Sequence, residues 1–131
     1  MALTLRIVTP TRTLVDAEVS ELTAPGVVGE FGVLPEHVTF LGQLDLGVLT
    51  YVEGGTSRHV VVLGGYAEVV DDVVTVLADE AEFPDDIDAE VARADVEEAR
   101  AKLDAGHEDP YVVEELIRAH RRAEVRFSVG S

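Results

Sequence analysis

Phe83-Pro84-Asp85-Asp86 separates two kinds of hydrophobic pattern in this chain of 131 residues. Before it, apolar residues come in short runs broken by glycines, as in strands. After it they recur at helical spacing. The change of period predicts an α+β chain in which residues 1–85 form an antiparallel β-sandwich or flattened barrel and residues 86–131 an antiparallel two-helix hairpin.

Upstream of the break, Leu3, Leu5 and Ile7 alternate with Thr4 and Arg6 before a turn at Thr9-Pro10-Thr11. A second strand is expected from about Val15 to Thr23, where the offset between Val19 and Leu22 implies a bulge or irregular pairing, ended by Pro25-Gly26. Val27-Val28, Phe31 to Leu34, Leu46 to Val52, Arg58 to Leu63, Tyr66 to Val70 and Val73 to Ala78 read as further strands. Glu53-Gly54-Gly55-Thr56 and Val70-Asp71-Asp72-Val73 carry the residues of tight hairpin turns.

Downstream, Ala92, Val96, Ala99 and Leu103 form a thin, alanine-rich stripe on a charged helix. Asp86 or Asp88 supplies a cap for its first turn and Gly106 a stop. Asp109-Pro110 starts a second helix, since proline at the first helical position loses no hydrogen bond. Its stripe runs through Val113, Leu116 or Ile117, His120, Ala123 and Phe127. A buried alanine methyl contributes under ~1 kcal/mol against roughly 2 for leucine, so the pair is expected to be marginally stable alone.

The 26 acids against 10 bases give a formal charge of −16, which repels phosphate backbones and anionic lipid; no nucleic acid and no direct lipid binding are expected. The absence of cysteine removes disulfides and zinc–thiolate sites and fits a reducing compartment. The alternating Met1 to Arg6 segment has no secretion-signal pattern, and no run reaches the roughly 18 apolar residues of a membrane helix. A cytoplasmic protein is expected.

The chain lacks GxxxxGK[ST], GxGxxG, GxSxG and HExxH, and its four histidines share no ligand-like spacing. No catalytic group and no metal site are therefore assigned. Asp71-Asp72 and Asp85-Asp86 read as solvated turn residues rather than a catalytic dyad. Gly29 to His37 reads either as a wide connecting loop or as an exposed acidic loop with Glu30 at its tip, offered to a basic partner. Paired Gly64-Gly65 marks a close backbone approach or a bulge at a sheet corner.

Gly29-Glu30-Phe31-Gly32-Val33-Leu34-Pro35 with His37, then Gly64-Gly65-Tyr66-Ala67-Glu68-Val69 and Val74-Thr75-Val76-Leu77-Ala78-Asp79, precede an alanine-rich helical hairpin. In that order they resemble the epsilon subunit of bacterial F-type ATP synthase, the counterpart of the mitochondrial delta subunit, over the full length of the chain. The resemblance implies a sandwich of about ten strands and two helices, in a non-catalytic subunit of the central rotor stalk. It implies binding to the gamma subunit and the ring of c subunits, at the cytoplasmic face of the bacterial plasma membrane and peripheral to it through the complex. It also implies that proton-driven ring rotation is coupled to the catalytic head, and that an extended hairpin inhibits ATP hydrolysis against the alpha/beta subunits.

By position, the resemblance makes Glu30, with Phe31 and Gly32, the contact to the c ring, and puts Glu36 and His37 in the adjoining loop near gamma and the ring. Glu36 stands where the family usually has glycine, and Phe40 where a smaller or aliphatic residue is common. Some relatives bind ATP through an Ile-Asp-x-x-Arg-Ala motif, a preceding acid and arginines of the second helix. Glu82, Ile87, Asp88, Ala92, Arg122 and Arg126 match that set, whereas Val91 and Glu98 occupy two of its arginine positions. With two cations missing, and Arg93 about 200° around the helix from Val91, ATP as a regulatory ligand is expected to bind weakly or not at all. No other cofactor is expected.

Arg118, Arg121, Arg122 and Arg126 read either as a solvated face balancing local acids or as the inhibitory surface toward an acidic catalytic head. Two other classes compete with the rotor reading. One is a free-standing β-sandwich that binds a small ligand under a fixed helical lid; the other is a hydrolase using His37 with Glu36 or Glu30.

Overall fold

A computed structural model describes residues 2–130 and divides the chain into two compact units, 1–82 and 83–131. The first unit contains β1 (Leu3–Val8), β2 (Thr13–Val19), β3 (Glu21–Ala24), β4 (Phe31–Val33), β5 (Phe40–Glu53), β6 (Thr56–Val70), β7 (Val73–Ala78) and β8 (Ala81–Glu82). The second contains α1 (Ala89–Ala105) and α2 (Pro110–Val129), preceded by a single 3₁₀ turn at Pro84–Asp86.

The strands form one hydrogen-bonded sheet in the order β2-β1-β7-β6-β5-β3-β4, with β8 also beside β6. All pairs are antiparallel except β1 with β7, whose parallel register is reached by a connection that runs through almost the whole unit. The sheet folds over into a sandwich because β5 and β6 are long enough to serve both layers. Along β6, Val61 and Val62 pair with β8, while Gly65 to Val70 pair with β7. Strands expected separately at Arg58–Leu63 and Tyr66–Val70 are thus one strand, and the strand expected from Leu46 begins at Phe40. Eight continuous strands do the work of about ten.

The change of partner falls at Gly64 and Gly65, whose φ values of 87° and 118° suit only glycine. A Cβ on Gly65 would collide with the Leu77 carbonyl and lie 2.8 Å from the Ala78 Cα. The glycine pair lets β6 turn while β7 approaches closely. Elsewhere, Val19 and Leu22 are both buried three residues apart, which a period of two forbids; the chain jogs at Ser20 and continues as β3. Val27-Val28 is a turn and not a strand, since Gly29 N–H closes onto the Gly26 carbonyl at 3.1 Å.

Alternating side chains fill the sandwich. Leu3, Leu5 and Ile7 of β1, Leu49 of β5, Ala67 and Val69 of β6 and Val74 and Val76 of β7 are at most 1% exposed. The two tight turns form as expected, Gly54-Gly55 and Asp71-Asp72 all taking positive φ.

In the second unit the Asp88 carboxylate caps α1, accepting from the amides of Glu90 at 2.9 Å and Val91 at 3.1 Å. Gly106, at φ 74°, ends that helix. Asp109 caps α2 through the Tyr111 amide at 2.9 Å, ahead of Pro110. Ala99 lines a shallow groove of ≈ 260 Å³ with Leu116, Ala119 and Ala123, so the alanine-bearing sides of the helices face each other. The stripe on α2 passes through Leu116 rather than Ile117, and Phe127 stays 43% exposed where Arg126 turns inward instead. His120 holds Glu124 through Nδ1 at 3.1 Å, but its Nε2 is buried without a hydrogen-bond partner, a cost of about 1–3 kcal/mol.

Gly65→Ala is expected to destabilise the sandwich by roughly 2–6 kcal/mol, combining backbone strain with overpacking. Gly54→Ala, whose Cβ meets open space, should cost only about 1–2 kcal/mol. Urea denaturation midpoints compare the two. Asp88→Ala should cost about 1 kcal/mol of local helix stability, read as faster amide exchange in the first turn of α1 and not in the sandwich.

Candidate interaction surfaces

Ordered hydrogen bonds build the segment between β3 and β5 onto the edge of β5. Asp45 N–H donates to the Pro25 carbonyl at 2.9 Å and Val27 N–H to the Gln43 carbonyl at 3.1 Å. Gly29, at φ 125°, then reverses the chain and leaves Glu30 exposed at the start of β4. Phe31 packs against Phe40 with ring centroids 5.0 Å apart and planes tilted by 54°, and the His37 ring meets Phe40 edge-on at 6.1 Å. The His37 Nδ1 lies 2.7 Å from the Val38 carbonyl, the geometry of an Nδ1–H donor. An aromatic cluster therefore braces the whole loop beneath an exposed acid.

The loop is apolar as well as acidic. Val28 is 98% exposed, and Val27, Leu34 and Val38 also face solvent. Glu36 has φ 69°, a left-handed conformation that glycine would adopt without strain. Its amide donates to the Asp72 carboxylate at 2.6 Å, although Asp72 lies in the distant β6–β7 turn. Asp72 is thus more than the solvated turn residue expected of it.

A second surface follows from strand register. Gln43 pairs with Tyr66, Tyr66 with Leu77, and Leu77 with Val8, so these residues cross the sheet in one row. The next row runs from Leu41 through Glu68, Thr75 and Arg6 to Asp16. On this outer face Leu41, Tyr66 and Leu77 are 70%, 54% and 56% exposed. Val8, Pro10, Tyr66 and Leu77 also line an open groove of ≈ 350 Å³. Apolar side chains where solvent-facing strand positions are normally polar make this face a candidate docking surface. Sequence reading missed it because the runs give no register; with the strands paired, Leu41, Tyr66 and Leu77 stand out as apolar at outward positions.

In the second unit, Ile87 and Ala92 are buried and Asp88 is committed to its cap. Arg126 reaches Asp95 across the helices at 3.4 Å. Arg93 is bound to Glu90 at 3.0 Å and Glu97 at 3.5 Å, which raises its guanidinium pKa, the Glu90 hydrogen bond contributing most. It is therefore engaged on its own helix and does not replace the cation missing at Val91, which is exposed. Lys102 is paired with Glu98 at 3.1 Å. Arg118 and Arg121 lie on exposed positions of α2 and Arg122 on a half-buried one, while Glu82 ends the first unit. Among the described residues no group of three or more acids and histidines is arranged to hold a metal ion, and no helix is long and apolar enough to cross a membrane.

The family described as ATP synthase, Delta/Epsilon chain, beta-sandwich domain matches residues 2–84. The ATP synthase epsilon chain of Anaeromyxobacter dehalogenans strain 2CP-C is 47% identical over 113 residues, covering 82% of this chain and 86% of that protein. The epsilon chain of Anaeromyxobacter sp. strain Fw109-5 is 42% identical over 131 residues, covering 99% and 98%. Among solved structures, a chain of the Euglena gracilis mitochondrial ATP synthase OSCP/F1/c-ring assembly superposes with a TM-score of 0.82 at 31% identity, covering 94% of this chain and 78% of that one. A chain of the Tetrahymena thermophila central stalk and c-ring superposes with a TM-score of 0.69 at 15% identity, covering 100% and 98%, and shows a shared fold alone. With its sandwich and its full length both matched, the chain belongs to the ATP synthase delta/epsilon family, as a non-catalytic subunit of the epsilon type.

Proposed function

We propose that the sandwich of this chain is the part of the ATP synthase central stalk that grips the gamma subunit and rests on the c ring. The observation that carries the reading is the exposed apolar patch that Leu41, Tyr66 and Leu77 form on one face over two adjacent rows, together with the loop that holds Glu30. Burying side chains of this size contributes roughly 1.5–3 kcal/mol each, enough to make the patch the source of affinity for gamma. Glu30, Phe31 and Gly32 face the c ring, with Glu36 and His37 in the adjoining loop. An exposed acid–base pair at Glu30 is worth only ~0–1 kcal/mol, so Glu30 sets register rather than strength. The subunit then works at the membrane-associated complex, on the cytoplasmic side of the bacterial plasma membrane, and reaches it through protein rather than lipid.

The helical pair is the regulatory element, extending to hold the alpha/beta head through Arg118, Arg121, Arg122 and Arg126 and so restraining ATP hydrolysis. Its thin alanine seam and the unsatisfied His120 nitrogen favour such release. A nucleotide site at Glu82, Ile87, Asp88, Ala92, Arg122 and Arg126 is at most weak, because Asp88 and Arg126 already serve the cap and Asp95.

Replacing Tyr66 and Leu77 together by serine should weaken binding to isolated gamma by at least about tenfold while the sandwich stays folded, measured by titration calorimetry. Undiminished binding would place the gamma contact elsewhere. Removing residues 87–131 should leave assembly with gamma and the c ring intact and raise ATP hydrolysis by the complex. Hydrolysis unchanged by the deletion would end the regulatory reading.

A further inference from the structure

Two positions in the first unit combine unusual backbone with an unusual contact. Glu36 sits at φ 69° and Asp72 at φ 63°, conformations that cost a side-chain-bearing residue energy unless something holds them. Their partner is each other: the Glu36 amide donates to the Asp72 Oδ1 at 2.6 Å, across 36 positions of sequence. A carboxylate accepting from a backbone amide at this length is a charge-assisted bond, stronger than a neutral one.

Asp72 is itself anchored. Its backbone carbonyl accepts from Thr4 N–H at 2.8 Å, fixing the β6–β7 turn to the start of β1. The turn is thus a rigid post built from three strands, and its carboxylate reaches out to a loop that has no strand partner of its own between Leu34 and Val38. Within that loop the His37 amide closes a tight turn onto the Leu34 carbonyl at 3.2 Å, with Glu36 inside the turn. Fixing Glu36 therefore also fixes His37, whose ring lies against Phe40, which in turn packs at a tilt on Phe31 next to Glu30.

We propose that Asp72 is a positioning residue for the c-ring docking loop, its carboxylate holding Glu36 in the left-handed conformation and thereby setting the His37–Phe40–Phe31 cluster behind Glu30. This rests on the reading of that loop as a docking element, and it adds to it a supporting residue 36 positions away in the sequence. Asp72 touches no partner in this account. It acts by restricting the free loop to the shape that binds, so that ordering is complete before association.

The test combines Asp72→Gly, Asp72→Asn and Glu36→Gly in the full chain, each measured for exchange of the residue 36 amide and for affinity to an F1–c-ring complex lacking this subunit. Asp72→Gly keeps the positive φ and deletes only the acceptor; it should speed exchange at Glu36 at least about tenfold and weaken binding about three- to tenfold, with exchange in the β1–β7 core unchanged. Asp72→Asn, which keeps both an acceptor oxygen and tolerance of positive φ, should bind within about twofold of the parent. Glycine at position 36 adopts the left-handed form unaided, so Asp72→Gly should cost less than about twofold in affinity when added to Glu36→Gly. Equal loss in both backgrounds, or unchanged exchange at Glu36 in Asp72→Gly, would overturn the proposal. A parent chain that fails to bind the complex would remove the docking reading itself, whereas parent binding that Asp72→Gly leaves intact would remove only the role given to Asp72.

Discussion

Strands β5 and β6 belong to both layers of the sandwich, and β6 can do so only because two successive glycines turn it. At Gly64 and Gly65 the backbone enters a region closed to other residues, and the Leu77 carbonyl occupies the space where a side chain would stand. This single corner lets β6 exchange β8 for β7 while its register against β5 is kept on both sides of the one unpaired position, Asp45 opposite Gly64. Continuity through the corner makes the unit one hydrogen-bonded sheet rather than two stacked ones, and it leaves the β6–β7 hairpin rigid enough to carry function on its outer face.

The proposed function rests on what that body leaves uncovered. Tyr66 and Leu77 face each other across β6 and β7 immediately beyond the corner, with Leu41 on the neighbouring strand. The loop bearing Glu30 is locked to the same body by backbone bonds at Pro25 and Val27 and by the Phe31–Phe40 contact. In the proposed function apolar area supplies affinity and the acid supplies orientation, a division that follows from the small worth of an exposed ion pair. The helical pair is built to the opposite specification. Its helices are capped by Asp88 and Asp109, but the sides they turn to each other are rich in alanine, and a buried nitrogen of His120 has no partner. Helices that are well formed yet weakly held together suit an element that changes its packing while keeping its secondary structure.

The family's marks were legible because they are local. Gly29 to Pro35, Gly64 to Val69 and Val74 to Asp79 are short segments whose residue types are dictated by turn and corner geometry. The departure at Glu36 was also visible, and the structure gives it a physical meaning: a left-handed residue that must be held, and an Asp72 carboxylate that holds it. Nothing in the sequence pairs those two positions, since a side-chain bond across 36 residues leaves no periodic trace.

The sequence by itself determined the switch from period two to period 3.6 at Phe83-Pro84-Asp85-Asp86, the cap at Asp109, the choice of Asp86 or Asp88 for the other cap, the stops and turns at glycine, and the absence of catalytic or metal-binding motifs. These are properties of a few neighbouring residues, and neighbouring residues suffice to fix them. Only the tertiary structure decided that β5 and β6 are continuous, that β1 runs parallel to β7, that Val27-Val28 is a turn, and that Leu41, Tyr66 and Leu77 share one exposed face. Each of those depends on register, and register is set by which distant strands bury their apolar sides together, a choice that no local window contains.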